Sequence, residues 1–169
     1  NQDQTLVIPL EQGVNYEAIK NDLAMQPGII GIAGSAGHVG RSVGLSVIEI
    51  GDSKHEIRRI NVGFDYLETI GIRLKQGRFF DKELITDLDQ SVVINETFAK
   101  SFDWENPLEA SFELDSTIFN VIGVVEDFHY FDFDDKIEPA FFRMSKDEDA
   151  NFISARIEKG NIAKTEAYA

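Results

Sequence analysis

Two runs of alternating apolar residues, VGLSVIEI (43–50) and HEIRRINV (55–62), flank the polar turn GDSK. A period of two is the signature of a strand with one buried face, so this pair predicts a β-hairpin with Val43, Leu45 and Val47 facing inward. The hairpin is one part of a mixed pattern. TLVIPL (5–10) predicts an opening strand, and NYEAIKNDLAMQPG a helix with Asn15 as N-cap and Tyr16, Ile19 and Leu23 on one face, stopped by Pro27 and Gly28. IIGIAGS reads as β, DYLETIG as a helix ended by Gly71, and IRLKQGRFF as extended chain. An acidic loop, DKELITDLDQ, then precedes the short buried strand SVVIN and the helix ETFAKSF, whose Phe98, Ala99 and Phe102 share a face. Turn signals at Asn106-Pro107 and Asp115-Ser116 predict a second hairpin running into VIGVV. PAFFRM and NFISARI read as strands around the acidic turn SKDEDA, and NIAKTEAYA begins like a helix. Strands and helices without strict β-α alternation predict an α+β fold rather than a doubly wound parallel sheet.

A chain of 169 residues with 43% hydrophobic residues can bury one sizeable core. Its net charge of −14 opposes approach to phosphate backbones, which argues against nucleic acid as a partner. No apolar run approaches the roughly 18–20 residues that a membrane-spanning helix needs. The absence of cysteine removes disulfides, zinc-thiolate sites and thiol nucleophiles. The chain starts at Asn1 with no signal-peptide pattern, so it reads as an excised fragment or a processed product, and the natural polypeptide is expected to continue past Ala169.

Three constellations invite a chemical reading. GIAGSAGHVGRSVG (31–44) is glycine-rich, but Gly40 is followed by Arg41 and a β-like run, and Gly34, Gly37 and Gly40 are spaced three apart. That fits neither a P-loop nor a dinucleotide fingerprint and predicts a bulged or flexible connection. VIGVVEDFHYFDFDDK (121–136) gathers Asp127, His129, Asp132, Asp134 and Asp135, residue types that bind divalent cations or transfer protons. It lacks the central glycine and closing glutamate of a calcium loop, and its acids alternate with aromatics, which predicts a solvated acidic edge over buried rings. Asp127 is expected to accept backbone N–H bonds in an Asx-type turn anchored by Phe128. Neither Gly-x-Ser-x-Gly nor Ser-x-x-Lys occurs, and His38, His55 and His129 lie far apart.

The segments RINVGFDYLETIGIRLKQGRFFDKE (59–83), SVVINETFAKSF (91–102) and VIGVVEDFHYFDFDDKIEPAFFRM (121–144) follow one another in an order that resembles the extracytoplasmic domain of MacB-like and FtsX-like ABC transporter permeases. LAMQPGIIGIAGS upstream is similar to that family's Leu-x-x-x-Pro-Gly-Val region. The resemblance rests on Gly77 and Arg78, on the strand-to-helix junction at Asn95 and Glu96, on Asp127, Phe128 and His129, and on Pro139 of an Ile-x-Pro. It implies a two-lobed domain with a mixed sheet and helices packed on it, residues 1–74 with 136–169 in the first lobe and 75–135 in the second, truncated at its C-terminal side. It also implies no catalysis and no cofactor in this domain. The implied partners are a cognate ATP-binding subunit, reached through the membrane part of the parent chain, a second permease copy, and a periplasmic adaptor or substrate. The implied location is the extracytoplasmic face of a bacterial cell membrane, and the implied work is efflux, lipoprotein or lipid handling, or envelope signalling. Two rivals come from other classes. A metal-dependent hydrolase would use Asp127, His129 and Asp132, and a ligand-sensing module would need a closed apolar pocket of a few hundred Å³.

Overall fold

The structure, a computed structural model, describes residues 5–128 and 136–158. Its strands are β1 (Thr5–Pro9), β2 (Ile29–Ser35), β3 (Gly44–Ile50), β4 (Ser53–Val62), β5 (Leu74–Gly77), β6 (Ser91–Asn95), β7 (Ser111–Leu114), β8 (Thr117–Val125), β9 (Ala140–Met144) and β10 (Phe152–Ile157). The helices are α1 (Tyr16–Ala24), α2 (Tyr66–Thr69), α3 (Ile85–Asp89) and α4 (Glu96–Ser101). The fold is α+β, with strands dominating. His129, Asp132, Asp134, Asp135 and the stretch NIAKTEAYA lie outside the described residues.

Local chemistry sets the element ends. Asn15 Oδ1 accepts the Ala18 N–H at 3.1 Å and starts α1. Gly71, at φ 79°, closes α2: its N–H reaches the Glu68 carbonyl at 3.1 Å and the Ile72 N–H reaches Leu67 at 2.9 Å, a Schellman stop. The β3–β4 turn has Gly51 at φ 59°, and the β7–β8 turn has Asp115 and Ser116 both left-handed, at φ 51° and 62°. Such turns carry the twist that antiparallel neighbours share. The glycine-rich connection folds back on itself, with Gly40 at φ 86° and a bridge between His38 and Ser42.

One path of pairings closes on itself in the order β4–β3–β7–β8–β6–β9 and back to β4. The β6–β8 and β4–β9 pairs are parallel and the other four are antiparallel. β5 adds to β8. A three-stranded antiparallel base, β1–β10–β2, meets this ring at Ser35 opposite Val62. Three further backbone bonds fasten that joint, from Ala36 and Gly37 to the Asn61 carbonyl and from Gly63 to the Gly34 carbonyl.

Alternation of side chains divides the interior in two. Ile48, Ile57, Val92, Ile94, Phe112, Phe119, Val121 and Phe141 come from all six ring strands and fill the ring, with Phe98 and Ala99 of α4 packed among them. Their rings interlock, Phe112 meeting Phe141 edge-on at 5.2 Å. Ile60, Val62, Val93, Val125 and Phe142 point the other way and pack with Ala33, Tyr66 and Leu67 of the base side. All five residues of SVVIN are therefore buried, as both faces of β6 are covered. Both cores draw on both of the segments assigned above to separate lobes.

Two sequence expectations are corrected. On β3 the inward residues are Ser46 and Ile48, while Leu45 and Val47 are 51% and 53% exposed. The register decides this: Ser46 lies opposite Ile57, whose side chain is inside the ring, and a shift of one residue inverts every side chain of a strand. The acidic stretch 81–90, expected as a loop, is only partly one. It contains α3, and its Asp87 has no exposed surface at all.

Candidate functional site

The residues that carry the family resemblance converge on two knots of hydrogen bonds. The first lies where β6 turns into α4. Asn95, fully buried, accepts the Phe98 N–H at 3.0 Å as helix N-cap and the Ala140 N–H at 3.0 Å with the same oxygen, and its amide donates to the Glu138 carbonyl at 2.9 Å. It thus brackets Pro139, which has no N–H of its own to offer. Asp127, arriving from the end of β8, accepts the Thr97 N–H at 2.8 Å and the Thr97 hydroxyl at 2.9 Å. Glu96 answers by accepting the Asp127 N–H at 3.3 Å, a reciprocal capping arrangement made between two distant segments. Phe128 follows and packs its ring 5.3 Å from Phe142. The N–H that an Asx-type turn at Asp127 would use belongs to His129, outside the described residues; the backbone N–H that Asp127 accepts among the described residues is that of Thr97, 30 residues away in sequence.

The second knot lies where Gly77 and Arg78 cross β8. Gly77 has φ 74°, and a Cβ there would stand 2.2 Å from the Ile122 carbonyl oxygen; one on Gly123 would stand 2.3 Å from the Arg78 carbonyl oxygen. Only glycines allow the two strands to approach this closely. Arg78 then grips Asp87 in a two-pronged pair at 2.6 and 2.9 Å, and the same carboxylate accepts the Asp81 N–H at 2.7 Å and the Ser91 hydroxyl at 2.9 Å. Burial pushes the Asp87 carboxyl up, but these donors outweigh it and hold it below the usual carboxylate range. Sequence reading missed Asp87, because an aspartate among Asp81, Glu83 and Asp89 carries no local sign of burial.

Neither knot resembles a reaction centre. Both oxygens of Asp127 are engaged by Thr97, and among the described residues no group of three histidine, aspartate or glutamate side chains is placed to hold a metal ion. His129 and Asp132, the other members of the proposed metal set, fall outside the described residues. His55 packs its ring edge-on against Phe102 at 4.8 Å. His38 is buried, and its Nδ1 lies 2.7 Å from the Tyr66 hydroxyl, which also accepts the Val39 N–H at 3.1 Å. Burial, reinforced by the charge of Arg41, pushes the His38 imidazole down to about 4, so it is neutral at pH 7. No helix among the described residues is long and apolar enough to cross a membrane.

Comparison with known proteins places this arrangement. The family profile for the MacB-like periplasmic core domain matches residues 2–165. The macrolide export ATP-binding/permease protein MacB of Aggregatibacter actinomycetemcomitans is 37% identical over 67 residues, covering 39% of this chain and 10% of that protein. Its counterpart in Acinetobacter baylyi is 37% identical over 67 residues, 38% of this chain and again 10% of the relative. The chain thus matches one tenth of the length of these relatives. The crystal structure of the periplasmic region of MacB from Actinobacillus actinomycetemcomitans superposes with a TM-score of 0.69 at 18% identity, over 98% of this chain and 80% of that one. The extracellular domain of the ABC-type transporter YknZ from Gram-positive bacteria gives 0.62 at 14% identity, over 96% and 86%. With the profile spanning nearly its whole length, the chain belongs to the MacB-like periplasmic core domain family, the extracytoplasmic part of ABC transporter permeases.

Proposed function

We propose that this domain is a non-catalytic transmission element on the outer face of a bacterial cell membrane. It couples the work of a cytoplasmic ATP-binding component, through the membrane part of the parent permease, to efflux, to lipoprotein or lipid handling, or to envelope signalling. The observation that carries the reading is the pairing of β1 with β10, which sets Thr5 opposite Arg156 and brings both described ends of the chain to one edge of the sheet. A domain inserted between two membrane helices needs its ends side by side. A displacement applied there enters the base strands directly and passes through backbone hydrogen bonds to β2 and then, at Ser35 and Val62, to the ring. The two knots support this role, because capping and buried pairing stiffen the ring where its longer connections cross, and a stiff body rocks instead of deforming. In this reading a second permease copy moves in concert, and a periplasmic adaptor or substrate meets the part of the ring distant from the base.

These 169 residues hold no cysteine, so in a parent permease whose other cysteines have been replaced the location is testable with single labels. Met25→Cys and Ile85→Cys, at positions 78% and 82% exposed, are introduced separately into the parent permease. A membrane-impermeant maleimide should label both in intact spheroplasts. Labelling only after lysis would place the domain on the inner side and overturn the reading.

A further inference from the structure

A groove of about 510 Å³ runs beside α4, floored by Ala99, Pro107 and Val124 and walled by Trp104. Its volume falls in the range of small-molecule sites, and its floor is buried and apolar. The Trp104 backbone N–H donates to the Ala99 carbonyl at 3.0 Å, and its indole packs against Phe98 at 5.4 Å and Phe102 at 5.8 Å, so ring contacts hold it in place as a wall. Glu96, Asp103 and Glu105 also line the groove. Lys100, the one cation among the described lining residues, has its ammonium 3.9 Å from Asp127. Asp103 and Glu105 form no ion pair with a described residue. Asp103 also occupies a left-handed position, φ 52°, at the end of α4, where a glycine would be unstrained.

An aromatic wall, an apolar floor and a surplus of carboxylates are complementary to one kind of ligand. Exposed carboxylates alone hold a cation loosely in water, whereas an indole wall and an apolar floor select one that carries an apolar body. We propose that this groove binds a small aromatic or otherwise apolar organic cation. The assignment stands on the groove itself and is independent of the transmission role.

Trp104 is the chain's single tryptophan, so its emission reports on the groove without any substitution. The 169-residue chain is titrated with benzyltrimethylammonium, with neutral benzyl alcohol, with benzoate and with N-acetylarginine amide. The aromatic cation should change Trp104 emission saturably at low millimolar concentration. The other three should bind roughly tenfold more weakly or not at all. The double variant Asp103→Asn/Glu105→Gln, at two exposed positions, should keep the native circular dichroism and bind the cation about tenfold more weakly. The proposal is overturned by an unsaturable response, by benzyl alcohol or benzoate binding equally well, or by undiminished affinity in the double variant. Equal binding of the arginine amide would assign the groove to a basic side chain of a partner protein and would likewise overturn it.

Discussion

Replacing Arg78 by methionine keeps the aliphatic stem and removes the guanidinium from a carboxylate that has no exposed surface. Asp87 would retain the Asp81 N–H and the Ser91 hydroxyl and lose both of its contacts with the guanidinium, at 2.6 and 2.9 Å. Breaking a buried ion pair from one side costs about 3–5 kcal/mol, since an uncompensated charge is left inside. The Arg78 side chain is itself 43% exposed, which weakens the original attraction and puts the expected cost near the lower end, about 3 kcal/mol. In a domain of this size that lowers Tm by roughly 6–12 °C. Asp87→Asn leaves the arginine free to turn to water and should cost less, about 1–2 kcal/mol. The pH dependence separates the variants further. In the parent chain Asp87 has a depressed pKa, so its stabilisation is present above the unfolded value near 4 and is lost as pH falls below it. Without Arg78 burial is opposed only by the Asp81 N–H and the Ser91 hydroxyl, so the pKa rises from its value in the parent chain and the variant's deficit shrinks as pH is lowered from 7 toward 5. Urea denaturation of both variants at pH 5 and 7 measures all of this. A cost for Arg78→Met under about 1 kcal/mol, or no larger than that of Asp87→Asn, would refute the reasoning.

Other outcomes follow from the same structure. Gly77→Ala should be far more damaging than Gly51→Ala: both glycines have positive φ, which costs alanine about 1–2 kcal/mol, but only at Gly77 does the new Cβ meet a carbonyl oxygen, at 2.2 Å. Equal midpoints for the two in thermal melts would contradict the close crossing. Asp127→Ala should cost about 1–2 kcal/mol in urea melts through loss of its bonds to the Thr97 N–H and hydroxyl, and less in a Thr97→Ala background, where the hydroxyl contact is already gone and only the backbone bond remains to lose. Full additivity would count against the hydroxyl contact. His38 has a folded-state pKa near 4 against about 6.5 unfolded, so its contribution is complete above pH 6.5 and is lost as pH falls toward 4, on the order of 3 kcal/mol. His38→Gln should flatten that slope in chemical denaturation, and an unchanged slope would assign it to another group.

What could be read from the sequence was what short-range chemistry decides. Asn15 as a cap, Gly71 as a stop and the Asp115-Ser116 turn depend on residues within one turn of each other, and they stand where the pattern puts them. What depends on partners far along the chain was not legible. The inward face of β3 follows from its register with β4, and apolar residues on both faces of VGLSVIEI leave that choice open. The closure of the ring through parallel β4–β9 pairing joins segments some 80 residues apart and leaves no periodic trace. The motif residues were found as a set by resemblance, but their tasks were not: Asp127 caps a helix 30 residues upstream, and Arg78 is matched by an aspartate hidden within an acidic stretch.

The central claim is that ATP-driven motion displaces this domain as one body. Spin labels at Met25→Cys on the two copies of the full permease, compared by pulsed electron resonance in the nucleotide-free and vanadate-trapped states, test it directly. The account predicts a shifted distance distribution between copies, with the Met25→Cys to Ile85→Cys distance inside one copy unchanged. An unmoved distance between copies, or a change confined within one domain, would contradict it.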